Sequence, residues 1–300
     1  MSQSSHPHPP RACQIDLGWL KPGDRMGEGD TELVLDILPP DLADTAFQKL
    51  REEVEWNVMM HRGGEVPRLV AVQGEVSPEG DFPIYRHPAD ETPPLRPFTR
   101  TVEAIRRRVE AALNHPVNHV LIQHYRSGAD FISEHSDKTI DVAPGSKIVN
   151  VSLGAQRAMT LRTKSDATRS SDEGRVSERI ALPHNSMFVM GLETNRKWLH
   201  SVRTDKRPDT TKSPEERFEN GERISLTFRR IGTFLTADKG KIYGQGAKGP
   251  TKADARPVVN GGPEAQKLLD AFGFENQQSD FDWQAGYGEG FDVLHFTTKD

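Results

Sequence analysis

His135, Ser136 and Asp137 are consecutive. At a strand end the period of two turns the first and third side chains to one face, where an imidazole and a carboxylate can share a metal. Alone the triplet is weak, because with 11 histidines roughly 0.8 His-x-Asp triplets arise by chance. His200 supplies a third donor, set in Lys197-Trp198-Leu199-His200-Ser201-Val202 among apolar residues, as in a buried strand. Two histidines and one carboxylate that leave positions open are the ligand set typical of non-haem Fe(II). Zinc more often recruits cysteine or a third histidine.

A second pattern lies in Arg223-Ile224-Ser225-Leu226-Thr227-Phe228-Arg229. As a strand, it sends Ile224, Leu226 and Phe228 one way and Arg223, Ser225, Thr227 and Arg229 the other. Two arginines on an inward face need anions to pair with. Their Cα atoms lie roughly 20 Å apart at strand rise, so they would lean inward from both ends of an elongated dianion. A dicarboxylate such as 2-oxoglutarate suits two guanidinium forks.

The elements that must position these residues follow from periodicity. Helices are expected over 41–54, with Asp41 as cap, and over 98–113, with Val102, Ile105, Val109 and Leu113 on one face. Residues 66–88 read as an irregular edge or loop. Short β-type runs at 119–125, 147–153, 157–163, 179–182, 186–190, 197–202 and 223–229 argue for an antiparallel sandwich or barrel. Polar loops, read as exposed and mobile, interrupt them at 164–176 and 204–222. Residues 239–257 read as irregular, and 263–272 as a short helix stopped by Gly273. The expected organisation is a flexible arm over 1–30, a catalytic domain over 31–235 and an aromatic-rich extension over 236–300 docked on it.

The 300 residues carry 39 Lys+Arg against 44 Asp+Glu, a net charge of −5. That balance argues against bulk nonspecific nucleic-acid binding, though not against a local basic groove. No apolar run is long enough to span a membrane. The single Cys13 rules out an internal disulfide and points to the cytosol or nucleus.

Residues 118–163, 179–202 and 223–231 resemble the catalytic core of the AlkB-like Fe(II)/2-oxoglutarate dioxygenases. The matching stretches are NHVLIQHYRSGADFISEHSD, APGSKIVNVSLGAQRAMTLRT, LPHNSMFVMG, KWLHSV and RISLTFRRI; residues 66–74 and 84–87 resemble the family's substrate lid. The resemblance implies a mainly β fold with flanking helices, built on a double-stranded β-helix (jelly roll). It assigns His135, Asp137 and His200 to Fe(II), Arg223 to the distal carboxylate of 2-oxoglutarate, and Tyr125, Gln123 and Arg229 to further cosubstrate contacts. It implies that O2 and 2-oxoglutarate are consumed as a substrate C–H bond is hydroxylated, and that a hydroxylated N-alkyl group leaves as aldehyde.

Three departures bear on the substrate. Gln123 stands where the family usually has Asn. Lys138 and Thr139 follow Asp137 where nucleic-acid-repairing members show acidic residues, which reverses the local field against a cationic base. Gln73 and His87 replace aromatic rings of the lid, while Tyr85 remains. Tyr85, His87, Lys138 and Thr139 are therefore the candidate substrate contacts. Alkylated nucleic acid is the default substrate, with Arg196, Lys197, Arg203, Lys206, Arg207 and Lys212 available to track phosphates. The alternative is a small-molecule metabolite or a protein side chain. A catalytically silent binding module is disfavoured by the intact triad and both arginines. A monomer without a membrane span is expected.

Overall fold

The computed structural model describes residues 14–61, 64–165 and 174–298. Its centre is a pair of facing sheets. The larger has seven strands in the order β2 (Glu32–Leu35), β10 (Ser186–Met190), β7 (Ile148–Gly154), β12 (Arg223–Arg229), β5 (His119–Tyr125), β3 (Leu69–Gly74) and β4 (Leu95–Pro97). The smaller has five, in the order β1 (Gln14–Leu20), β9 (Arg175–Leu182), β8 (Arg157–Thr163), β11 (Trp198–Val202) and β6 (Ile132–His135). This mainly β architecture is the jelly-roll core expected from the resemblance.

Period-two alternation divides the large sheet's two faces. Ile224, Leu226 and Phe228 of β12 pack outward with Val149, Val151 and Leu153 of β7 against two helices. These are α1 (Pro40–Glu53), burying Ala43, Ala46, Phe47 and Leu50, and α2 (Arg100–Leu113), burying Val102, Ile105 and Val109. That i, i+3, i+4, i+7 stripe is what a helix needs to cover a sheet. Asp41 does not cap α1: the cap position is Pro39 and Asp41 sits in the first turn. α2 ends where Asn114 takes a left-handed conformation at φ 56°. Between the sheets, Tyr125, Met159, Leu161, Ile180, Leu182, Phe188, Met190, Trp198 and Val202 form a second core.

Several expectations are revised. Residues 69–74 are no irregular edge but an interior strand, paired antiparallel with β5 and parallel with β4. The arm does not extend to residue 30, because β1 pairs in parallel with β9 and Met26 is fully buried; residues 1–13 lie outside the described residues. Of the 164–176 loop, 166–173 lie outside them too, and Arg175 already opens β9. The 204–222 loop carries 3-10 turns at Asp209–Thr211 and Glu215–Gly221.

The stretch read as irregular after residue 239 is ordered. β13 (Thr233–Leu235) pairs with Phe82–Pro83 and with β14 (Lys241–Gly244), which pairs in turn with Arg256–Pro257. α4 (Gly262–Gln277) runs through Gly273 instead of stopping there. Its buried side, Ala265, Leu268, Phe272 and Glu275, continues past the glycine, and tertiary packing outweighs the propensity cost. A short α5 (Trp283–Tyr287) follows, capped by the Asp282 carboxylate on the Ala285 N–H. Arg86 and Asp141 join this region to the core. Their side chains are wholly buried with Nη2–Oδ1 at 2.6 Å, and Arg86 also donates to the carbonyls of Phe291 and Gly246, each at 2.7 Å. Gly246 must be glycine, since a Cβ there would lie 2.5 Å from both Arg86 Nη2 and Asp141 Oδ1.

Candidate active site

β6 and β11 pair antiparallel with His135 directly opposite His200, so the ladder itself sets the imidazoles side by side, ring centroids 4.2 Å apart and planes tilted by 51°. Asp137 follows two residues after His135, where the strand has ended. Its Oδ1 lies 3.8 Å from Nε2 of both histidines. One ligand atom from each of His135, Asp137 and His200 lies within 4.8 Å of the others, a spacing that can hold a metal ion. Among the described residues this is the one such group of His, Cys, Asp and Glu.

The surroundings prepare these atoms. His135 Nδ1 lies 2.8 Å from the Ser133 carbonyl; donating there leaves the Nε2 lone pair aimed at the carboxylate. Burial lowers the pKa of His135, and burial together with repulsion from His135 takes His200 down to about 3, so both rings are neutral donors at pH 7. Burial alone would raise the Asp137 pKa, but Arg229, His200 and His135 outweigh it and hold it at about 2. Arg229 donates from Nε and Nη2 to Asp137 Oδ2, at 2.8 and 2.6 Å. One carboxylate oxygen thus faces the arginine and the other the histidines. Asn195 of α3 (Leu192–Lys197) holds the Asp137 backbone from both sides, accepting its N–H at 2.8 Å and donating to its C=O at 2.9 Å.

Beside the triad lies a cavity with about 510 Å³ of atom-free space, part of it open to solvent. Gln123, Tyr125, Asn150, Arg223, Ser225 and Arg229 form its polar wall, and Ile132, Met159, Phe188 and Val202 are among its apolar lining. Arg223 sits opposite Tyr125 in the β12–β5 ladder, its guanidinium 5.1 Å from the tyrosine ring centre. Its Nη2 donates to Asn150 Oδ1 at 3.0 Å and Ser152 Oγ at 2.7 Å. Its Nε and Nη1 are buried and have no acceptor among the described residues, as is the case for Arg229 Nη1. Buried charged donors left unsatisfied are costly. Burial lowers the Arg223 pKa only to about 10, so it remains a cation at neutral pH. The cavity therefore fits an anion whose carboxylate meets the open edge of Arg223, which is the chemistry of 2-oxoglutarate. The nitrogen and oxygen donors of the triad suit Fe(II).

The residues read from sequence divide into two sets. His135, Asp137, His200, Gln123, Tyr125, Arg223 and Arg229 converge on one cavity. Arg229 differs from expectation, since Asp137 takes two of its donor nitrogens and only Nη1 remains for a ligand. Tyr85, His87, Lys138 and Thr139 do not line the cavity. The Tyr85 hydroxyl accepts the Lys138 N–H, and its ring lies 4.2 Å under Arg229. His87 stacks on Phe296, Lys138 Nζ donates to Asn276, and Thr139 bonds Glu275. Gln73 is likewise no lid residue: it is buried in β3 and accepts the Thr99 N–H.

The basic cluster is largely neutralised as well. Arg196 pairs with Glu193, Lys197 with Glu28, Arg203 with Glu134, Arg207 with Asp205 and Glu216, and Lys212 with Asp209. Sequence reasoning missed Asn150, Ser152 and Asn195. The first two had a signal, as the inward positions of the alternating Val149–Leu153 run; Asn195 had none. No helix among the described residues is long and apolar enough to cross a membrane.

The model of the 2OG-Fe(II) oxygenase superfamily matches residues 30–229. The chain is 32% identical over 196 residues to "DNA oxidative demethylase ALKBH2" of Homo sapiens, covering 63% of this chain and 69% of that protein. It is 28% identical over 198 residues to "Uncharacterized protein R406" of Acanthamoeba polyphaga mimivirus, covering 65% of this chain and 91% of that protein. A solved structure, "The structure of OsALKBH1", aligns with a TM-score of 0.44 at 17% identity, covering 70% of this chain and 99% of that one. The family match spans every residue of the triad and both cavity arginines, and the chain is an AlkB-like member of the 2OG-Fe(II) oxygenase superfamily, a dioxygenase that uses Fe(II), 2-oxoglutarate and O2.

Proposed function

We propose that this chain oxidatively dealkylates N-alkylated nucleobases in DNA or RNA. The observation that carries the proposal is the similarity, at 32% identity over 196 residues, to a protein named as a DNA oxidative demethylase. In this reading His135 Nε2, Asp137 Oδ1 and His200 Nε2 hold Fe(II). Arg223 binds the distal carboxylate of 2-oxoglutarate through Nε and Nη1, with Tyr125 and Gln123 beside it.

Bound Fe(II), with 2-oxoglutarate and O2, supplies oxidation of a C–H bond while 2-oxoglutarate leaves as succinate and CO2. The protein's own part is placement. Arg229 fixes the Asp137 rotamer and keeps it ionised, the Ser133 carbonyl sets the His135 tautomer, and Asn195 fixes the backbone between them. The hydroxylated N-alkyl group then breaks its C–N bond and leaves as aldehyde, returning the unmodified base.

A second reading, oxidation of a small molecule or protein side chain, is favoured by one observation: the basic side chains that would follow a phosphate backbone are mostly paired with acids. Mass spectrometry of N-methylated single-stranded DNA and RNA, incubated with enzyme, Fe(II) and 2-oxoglutarate beside a metabolite extract, separates the two. Loss of the methyl group from an oligonucleotide supports dealkylation. Succinate formation with untouched oligonucleotides and an oxidised metabolite refutes it.

A further inference from the structure

The metal loop has an unusual set of backbone partners. β6 ends at His135, and residues 136–139 belong to no helix or strand. Four consecutive backbone N–H groups there donate to side chains brought from elsewhere. Ser136 donates to Asn276 Oδ1 at 2.9 Å, Asp137 to Asn195 Oδ1 at 2.8 Å, Lys138 to Tyr85 Oη at 3.0 Å and Thr139 to Glu275 Oε1 at 3.0 Å. No ladder sets this loop's conformation; the acceptors do.

Two of the four acceptors sit on α4, beyond the span matched by the family. Both are braced. Asn276 Oδ1 also accepts from Lys138 Nζ. Glu275 also takes the Thr139 hydroxyl and, through Oε2, the Tyr287 hydroxyl at 2.7 Å, while its carbonyl accepts from buried Lys164 Nζ at 2.6 Å. Glu275 is 4% exposed and Ser136 fully buried, so water cannot replace these acceptors.

We infer that Glu275 and Asn276 are positioning residues for the metal site: α4 clamps the 136–139 loop and thereby fixes Asp137 relative to His135 and His200. This rests on reading those three as metal ligands. Losing an acceptor leaves a buried N–H without a partner, and the loop moves to satisfy it. Outer partners of metal ligands typically carry a 10- to 100-fold effect on affinity.

The test is Co(II) titration of the full-length chain, followed by the visible spectrum of the bound ion. Asn276→Ala and Glu275→Ala should each raise the Co(II) dissociation constant roughly tenfold or more, while Asn276→Asp, which keeps an oxygen acceptor, restores near wild-type binding. Leu268→Ala loosens the same helix without removing a hydrogen bond to the loop and should lower Tm with Co(II) affinity unchanged. Thr139→Val removes a single hydroxyl bond at constant volume and serves if the alanine variants do not fold, with a loss of about threefold expected. Unchanged affinity in Asn276→Ala, or in Thr139→Val where the alanine variants do not fold, overturns the inference, as does equal weakening by Leu268→Ala. A wild-type chain that binds no Co(II) refutes the metal-ligand reading instead.

Discussion

Replacing Arg223 by methionine removes a guanidinium at nearly constant length and should uncouple cosubstrate binding from folding. Arg223 is fully buried and keeps two donors, Nε and Nη1, without acceptors among the described residues. A carboxylate taking both makes charge-assisted bonds of about 1.5–3 kcal/mol each, and because such bonds are not additive about 3 kcal/mol is the reasonable total. At 1.4 kcal/mol per factor of ten, the variant should bind 2-oxoglutarate roughly 100-fold more weakly. The ligand-free protein should suffer little: Asn150 Oδ1 and Ser152 Oγ lose a donor, but a buried, half-satisfied charge is removed as well. At a 2-oxoglutarate concentration 100 times the wild-type Kd, ligand binding stabilises the wild type by about 2.7 kcal/mol and the variant by about 0.4 kcal/mol. Titration with Mn(II) present, read by thermal shift, measures both quantities. Arg223→Lys, which keeps the charge but loses the fork, should fall between them. An apparent affinity within about threefold of wild type would refute the assignment, since that equals less than one hydrogen bond.

Three further outcomes follow from the same contacts. Asp137→Asn should abolish metal binding and, by leaving Arg229 buried without its counter-charge, cost about 3–5 kcal/mol in urea unfolding. Asp141→Ala strands Arg86 in the same way and should cost a similar amount, with faster amide exchange near residues 246 and 291; Asp141→Leu combined with Arg86→Met should cost much less. Burial, aided by His295 and Arg229, lowers the pKa of His87 to about 3. The unfolded chain therefore binds the extra proton between about pH 6.5 and 3, and this contribution to stability falls as pH drops through that window. It amounts to at most about 2 kcal/mol between pH 7 and 5, and His87→Gln should flatten that part of the urea-midpoint profile.

The parts of this molecule legible in sequence are those where side-chain period and chemistry coincide. The 223–229 alternation places its arginines because a strand admits no other arrangement once Ile224, Leu226 and Phe228 are buried. His135 and His200 are identifiable by residue type, though only the ladder explains why they meet. Errors arose where backbone pairing or tertiary packing overrode local composition. Gly273 resembles a helix stop, yet the buried face from Leu268 to Glu275 carries α4 through it. The Gly- and Lys-rich stretch after residue 239 pairs through main-chain bonds that composition does not announce. Thr139 and Lys138 look like substrate contacts beside a metal ligand, but Glu275 and Asn276, far along the chain, claim them. Asn195 and Asn276 resemble surface residues in sequence, and only their hydrogen bonds to one loop give them a role.

In the proposed function the triad and the Arg223 cavity couple 2-oxoglutarate turnover to removal of an alkyl group from a nucleobase. The most direct measurement is the ratio of aldehyde released to succinate formed when the Fe(II)-loaded enzyme acts on an N-methylated single-stranded oligonucleotide. The expected ratio is one, with both products lost in His135→Ala. Succinate formed without aldehyde, or aldehyde formation that persists in His135→Ala, would contradict it.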